Sequence, residues 1–316
     1  MSEPPAGRQL PLFPRVGAPP LAAPRAAPLA PPTPATSLAA AAGAFAEHLG
    51  RMGKTENTRR AFASDLRLLG RRVGPDRPVA EITTADLRGF LSWLLAYRDR
   101  PCSPKSYARR VTTLKVFFAW LQESGAVRSD PALALVHRRA DPPLPQPLAP
   151  DEVQALLAEA ARRRLHGGDA RPELVVRLLL DTGLKKGELV RLRAADLDLE
   201  ARPPTLLVRY DSPRWRQKER RLAFDPGLLA VLEAYRARFG DAERLFDCTA
   251  RNLEYVLADL VAASGLPEGT SFETLRWTSA ARAHAAGVDD EALRERLGLS
   301  PVTWADTRRK LELLAR

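Results

Sequence analysis

Residues 178–198 read Leu-Leu-Leu-Asp-Thr-Gly-Leu-Lys-Lys-Gly-Glu-Leu-Val-Arg-Leu-Arg-Ala-Ala-Asp-Leu-Asp. Leu178, Leu179 and Leu180 close an apolar helix. Gly183 permits the tight turn that ends it, because glycine takes the left-handed conformation without a Cβ penalty. A second helix is expected to start near Lys185, with Leu189 and Leu192 spaced to face a core. Glu188 falls in its first turns, where the helix dipole favours an anion. Lys185 and Lys186 stand at the same end, where the dipole disfavours a cation. They are therefore expected to serve something other than the helix, or to be held by Glu188.

The rest of the chain bounds what that turn can serve. The 316 residues suffice for two domains and a sizeable core. Lysine and arginine number 49 against 38 acids, a formal charge of +11, which favours a polyanionic partner, most often nucleic acid. No apolar run reaches the length of a membrane span, and prolines interrupt any signal-like core near the start. Cys102 and Cys248 lack metal-like spacing, so neither disulfide nor zinc is expected. These features predict a cytoplasmic protein without metal or cofactor.

In chain order, residues 1–36 are rich in proline and alanine and predict a disordered tail. Helical periods begin at Ser37. Leu38 to His48 form one helix, and Thr55 caps a second with Phe62, Leu66 and Leu69 on one face. Thr83 and Asp86 have capping-box spacing ahead of Leu87, Phe90, Leu91, Leu94 and Leu95. Ser103-Pro104 starts a fourth helix, buried through Tyr107, Val111, Leu114, Phe118 and Leu121 and ended by Gly125. Its other side carries Lys105, Ser106, Arg109, Arg110 and Lys115. These helices predict an all-α domain over 37–140, followed by a semi-rigid proline-rich linker at 141–150. Residues 151–316 predict further helices around two β-like runs, Thr205 to Tyr210 and Arg220 to Phe224. Between the runs lies a basic loop with Arg214, Trp215, Arg216 and Lys218. Asp196 and Asp198 lack a third carboxylate and are expected to start a strand rather than to bind metal. The fold class is thus mainly α with a small β-hairpin or sheet, α+β.

Thr182-Gly183-Leu184 with Glu188 resembles the signature of the tyrosine recombinase (phage integrase, Xer-like) family. Asn57-Thr58-Arg59-Arg60 and the stretch from Ser103 to Asp130-Pro131-Ala132 resemble that family's SAM-like core-binding domain. Residues Glu273-Thr274-Leu275-Arg276 and Leu297-Gly298-Leu299 fall where the family has His-x-x-Arg and Leu-Gly-His. The resemblance implies a core-binding domain and a catalytic-type domain closing on duplex DNA. It also implies cofactor-free chemistry: a tyrosine attacks phosphorus, two arginines and a histidine-type donor hold the developing charge, and a hairpin lysine protonates the leaving oxygen.

Against that pattern the first arginine position is Lys185, the histidine positions are Glu273 and Leu299, and the tyrosine position is Arg308. Arg276 is kept. No tyrosine follows Tyr255, and only eight residues follow Arg308, which by the resemblance speaks against exchange of a terminal helix. The expectation drawn here is a duplex-DNA-binding protein that is not an enzyme, these positions being vestigial. DNA contact is expected at Arg59, Arg60, Lys105, Ser106, Arg109, Arg110, Lys115, Lys185, Arg214, Arg216, Lys218 and Arg276. The expected partners are double-stranded DNA, an active recombinase, or a second copy in a weak oligomer, and no membrane. A divergent but active recombinase, and a protein-interaction module of the same fold, are the alternatives.

Overall fold

The computed structural model describes residues 31–96, 101–136 and 143–315. The chain divides into two compact units between Pro142 and Pro143. The first unit is helical: α1 (Leu38–Arg51), α2 (Glu56–Val73), α3 (Thr84–Ala96) and α4 (Pro104–Glu123). Each start follows from capping chemistry. Ser37, Thr55 and Ser103 accept from the amides of Ala40, Thr58 and Ser106, groups a helix cannot satisfy itself. At α3, Asp86 returns to the Thr83 amide and hydroxyl at 2.9 and 2.7 Å. The inward faces share one core, with Phe45, Phe90, Phe117 and Phe118 fully enclosed.

Of the expected tail, residues 1–30 lie outside the described residues. Its last part is tied down rather than loose: the carbonyls of Pro34 and Thr36 accept from Ala80 and Val79. Unpaired backbone groups close to a core are costly, so this short turn, closed by the Thr36 amide donating to the Thr33 carbonyl at 2.9 Å, is held beside Val79.

The second unit runs α5 (Pro150–Gly167), α6 (Arg171–Thr182), α7 (Lys186–Leu189), β1 (Leu197–Asp198), β2 (Thr205–Val208), β3 (Arg220–Ala223), α8 (Leu228–Phe239), α9 (Ala250–Ala263), α10 (Phe272–Ala285), α11 (Asp290–Arg296) and α12 (Pro301–Leu314). Among the described residues the strands make an antiparallel sheet in the order β1-β2-β3, with Leu206 opposite both Leu197 and Leu222. The fold is thus mostly helical with a small sheet. Its core gathers on α6, whose Leu174, Val175, Val176, Leu178 and Leu179 are at most 1% exposed. Part of the expected linker, residues 141 and 142, lies outside the described residues. Leu148 is already anchored, buried and with its amide donating to the Thr278 hydroxyl at 2.9 Å.

The helix expected from Lys185 onward is a single turn. Leu189 and Leu192 are buried as their spacing predicts. The turn stops because the Leu192 carbonyl is taken by the Leu245 amide at 2.8 Å, which draws the chain into an extended bridge.

Candidate nucleic-acid site

Gly183 ends α6 at φ 64° and brings the turn against α10 and α11. A Cβ there would lie 2.9 Å from Leu297 Cδ2. Lys185 caps α7, and its amide donates to Glu188 at 2.9 Å. Its ammonium reaches the Gly298 carbonyl at 3.4 Å and lies 3.8 Å from Glu188. Glu188 is 4% exposed and accepts from Arg220 at 3.0 Å and from the Tyr210 hydroxyl. Burial alone pushes its carboxyl upward. Arg220, Tyr210 and the Lys185 amide outweigh that and hold it at about 2. Tyr210 responds in the opposite sense, pushed up to about 12 by burial and by donating to Glu188.

Lys185 is lowered to about 8, first by burial and then by the nearby charges of Arg276, Lys218 and Arg220, with Glu188 opposing. It shares the wall of a cavity of about 450 Å³ with Lys186, Glu273 and Arg276. The sequence positions that the signature brought to notice, Lys185 and Arg276, are therefore neighbours in space. Glu273 lines the same cavity and accepts from the Trp277 indole at 3.1 Å. Lys186 pairs with Glu254 across the mouth.

The signature positions have definite partners. The Arg276 guanidinium donates to the carbonyls of Gly183 and Leu297, the latter at 2.6 Å, and it is 7% exposed. A buried cation needs every donor occupied, and the two motif turns present their free carbonyls to it. Arg308 is directed elsewhere, to Asp290 at 2.9 Å and Glu312 at 3.0 Å. Leu299 packs against the apolar cluster of Leu297 and Trp304.

On the first unit, Arg109 and Arg110 are not a free wet face. Both clasp buried Asp65, at 2.9 and 3.4 Å, and Thr113 adds a hydrogen bond at 2.9 Å. The side chain of Arg110 is only 11% exposed. Helical spacing placed these arginines off the apolar stripe, but α2 carries a carboxylate into their path. Arg59 and Arg60 both pair with Glu56, and Lys115 reaches the Leu133 carbonyl at 3.3 Å. Lys105 stays exposed and Ser106 half-buried. In the second unit Arg214 and Arg216 are exposed, and Lys218 lies over the Trp215 ring at 4.5 Å. The loop expected between the β runs is a short 3-10 turn, Pro213–Lys218.

The sequence reading missed Arg220 and Tyr210, which complete the Glu188 cluster, and Arg296, which donates to the Asp181 carbonyl and to Ser279. No periodicity marks them. Asp196 is buried under Arg209, at 2.7 Å.

Residues 43–125 match the phage integrase N-terminal SAM-like domain, and residues 146–306 match the phage integrase family. The chain belongs to the phage integrase family. A tyrosine recombinase XerC of Mycobacterium sp. (strain JLS) is 33% identical over 175 residues, covering 54% of this chain and 58% of that protein. The chain thus spans less than two thirds of that relative. A tyrosine recombinase XerC of Rhodospirillum centenum (strain ATCC 51521 / SW) is 28% identical over 276 residues, covering 81% and 77%. In fold, the chain is similar to a Tn1549 transposon integrase in complex with transposon right end DNA, with TM-score 0.69, 19% identity, and 89% and 100% of the two chains covered. It is similar also to a lambda integrase dimer bound to a core site, with TM-score 0.68, 18% identity, and 86% and 77% covered.

The expectation that the chain is not an enzyme is corrected by these relatives, which carry the name of a recombinase. That expectation counted motif positions one by one. Positions in a sequence do not say which side chains meet in space, and Lys185 and Arg276 line one cavity.

Among the described residues no helix is long and apolar enough to cross a membrane.

Proposed function

We propose that this chain is a divergent DNA recombinase that binds duplex DNA and receives the reacting phosphodiester in the cavity walled by Lys185 and Arg276. The observation that supports this most directly is that Lys185 and Arg276 wall one cavity. Glu188 lies 3.8 Å from the half-buried Lys185 ammonium but already accepts from Arg220 and Tyr210, so an arriving phosphate adds negative charge that favours the ammonium. Lys185 acts as a point charge rather than a fork. Arg276 lines the cavity and donates to the carbonyls of Gly183 and Leu297. The names of the relatives support the reaction class.

Strand transfer requires a hydroxyl to attack phosphorus and the 5′-oxygen to leave with a proton. Arg308 is engaged with Asp290 and Glu312, so the attacking hydroxyl is assigned to another residue of this chain or to a second subunit. Backbone contacts with the duplex fall to the exposed cations Arg60 and Lys105 on the first unit and Arg214 on the second, and to the half-buried Lys218.

Two measurements test the reading. If about six to ten phosphates are contacted, affinity for a duplex falls by roughly 10³–10⁵ between 50 and 200 mM salt; binding indifferent to salt removes the DNA assignment. A nicked suicide duplex should yield a protein–DNA adduct that survives boiling in detergent. Absence of any adduct on duplexes that the protein binds, alone or with another family member present, overturns the recombinase assignment.

A further inference from the structure

The turn between β2 and β3 sends its cations to different sides. Lys218 lines a cavity with Arg220 and Gly298. Arg216 instead lines an open groove of about 540 Å³ together with Arg191, Arg193, Arg209, Tyr210 and Arg244. This groove has no lining residue in common with the Lys185–Arg276 cavity.

The backbone forces these arginines together. The Leu245 amide donates to Leu192 and the Ala194 amide to Glu243, at 2.8 and 3.1 Å. Arg193 and Arg244 therefore face each other across an antiparallel bridge. Like charges directly opposite are destabilising, and the nearby acids relieve this only in part. Asp196 is occupied by Arg209 and the Arg193 amide. Glu243 and Asp211 both serve Arg193, at 3.4 and 3.9 Å, and Glu219 accepts from the Tyr210 amide. Arg191 lies over the Tyr210 ring at 5.5 Å. Among the described residues, Arg191, Arg216 and Arg244 have no carboxylate partner.

Several guanidinium groups along an open groove match a ligand with repeated phosphates, since each planar fork takes a phosphate through two hydrogen bonds. We propose that this groove binds the sugar-phosphate backbone of a second duplex segment, apart from the one whose phosphate enters the Lys185–Arg276 cavity. The inference rests on the DNA-binding reading above.

The test uses the full chain. Protein is saturated onto an immobilised duplex and washed, and retention of a fluorescent second duplex is measured. The wild type is expected to hold both. The double variant Arg191→Ser/Arg244→Ser is expected to bind the immobilised duplex as before but to retain the second at least tenfold less. Its slope of log affinity against log salt for the second duplex should be about 2 smaller, one phosphate contact per arginine removed. The charge reversal Arg244→Glu should abolish retention. Equal retention by wild type and variants overturns the inference, as does an equal loss of both duplexes, which makes the groove part of one continuous surface. A wild type that fails to bind even the immobilised duplex overturns the DNA-binding reading, a different result from losing the second duplex alone.

Discussion

Arg220 at the start of β3 meets Glu188 of α7 at 3.0 Å, with side chains only 10% and 2% exposed. The pair fastens the signature turn to the sheet. Arg220 also donates to the Arg296 carbonyl at 2.8 Å, and a Cβ on Gly298 would lie 2.8 Å from its guanidinium. One side chain therefore joins α7, β3 and the end of α11.

Removing one partner leaves an uncompensated buried charge, which typically costs about 3–5 kcal/mol. Glu188→Gln and Arg220→Leu should each lower stability by that order, read from urea midpoints. The double variant should lose less than the sum, because neither charge then remains. Additive losses would show that the pair acts as two independent contacts. The pH dependence has a definite sign: the Glu188 carboxyl is held at about 2 against an ordinary 4.5. Its contribution is full above about 4.5 and is lost as pH falls toward 2, a step absent from Glu188→Gln.

Lys185 gives a second pH signature. Its ammonium loses its proton near pH 8 rather than 10.5 in the free protein. Duplex affinity, followed by anisotropy, should fall between pH 7 and 9. Lys185→Ala should flatten that step and Lys185→Arg should remove it while keeping affinity. A step that persists in both variants assigns the titration to another group. For folding, the buried cation costs stability below about pH 8, and stability should rise as pH climbs from there toward 10.5.

Arg276→Ala deletes the donors to the Gly183 and Leu297 carbonyls. Charged hydrogen bonds are worth about 1.5–3 kcal/mol each, so a loss of about 3 kcal/mol or more is expected, together with loosening of both turns. Hydrogen exchange at the Gly183 and Gly298 amides measures it. Weaker DNA binding with unchanged exchange would make Arg276 a phosphate contact rather than a brace.

In the first unit, Asp65→Asn should destabilise by about 3 kcal/mol or more, because Arg110 then stays buried without its counter-charge. Lys105→Ala, on the exposed start of α4, should leave the melting temperature unchanged and lower the salt slope of duplex binding by about 1. Equal effects on stability from the two substitutions would contradict this division of roles.

Gly183→Ala forces a side chain into φ 64° and toward Leu297 Cδ2 at 2.9 Å. The backbone strain alone is about 1–2 kcal/mol, and the clash adds to it. A melting temperature equal to the wild type would mean that the turn relaxes freely.

Local chemistry was readable without tertiary information. Thr55, Thr83 and Ser103 announce helix starts because a hydroxyl or carboxylate beside an orphan amide is a contact within one turn. Gly183 announces the end of α6 for the same reason of range, its φ being set by the residue itself. The apolar stripes of α2 and α4 are likewise a property of consecutive residues, and the structure buries Leu66, Leu69, Val111 and Leu114 as their spacing requires. The resemblance placed Lys185 and Arg276 in one site, and both line one cavity.

The partners of charged side chains were decided only by the tertiary structure. Arg109 and Arg110 sit on the polar side of α4 by spacing, yet Asp65, far away in sequence, turns them inward. Arg276 is expected from the sequence as a DNA contact, and the folded chain gives its guanidinium two carbonyls. Arg220 and Tyr210 showed no pattern at all before the sheet carried them to Glu188. The physical reason is the range of the forces involved. Helix caps, turns and apolar periodicity act over three or four residues and are written locally. A charge in a partly buried site takes whichever counter-charge or carbonyl the packing of distant segments delivers, and only the assembled fold specifies which one that is.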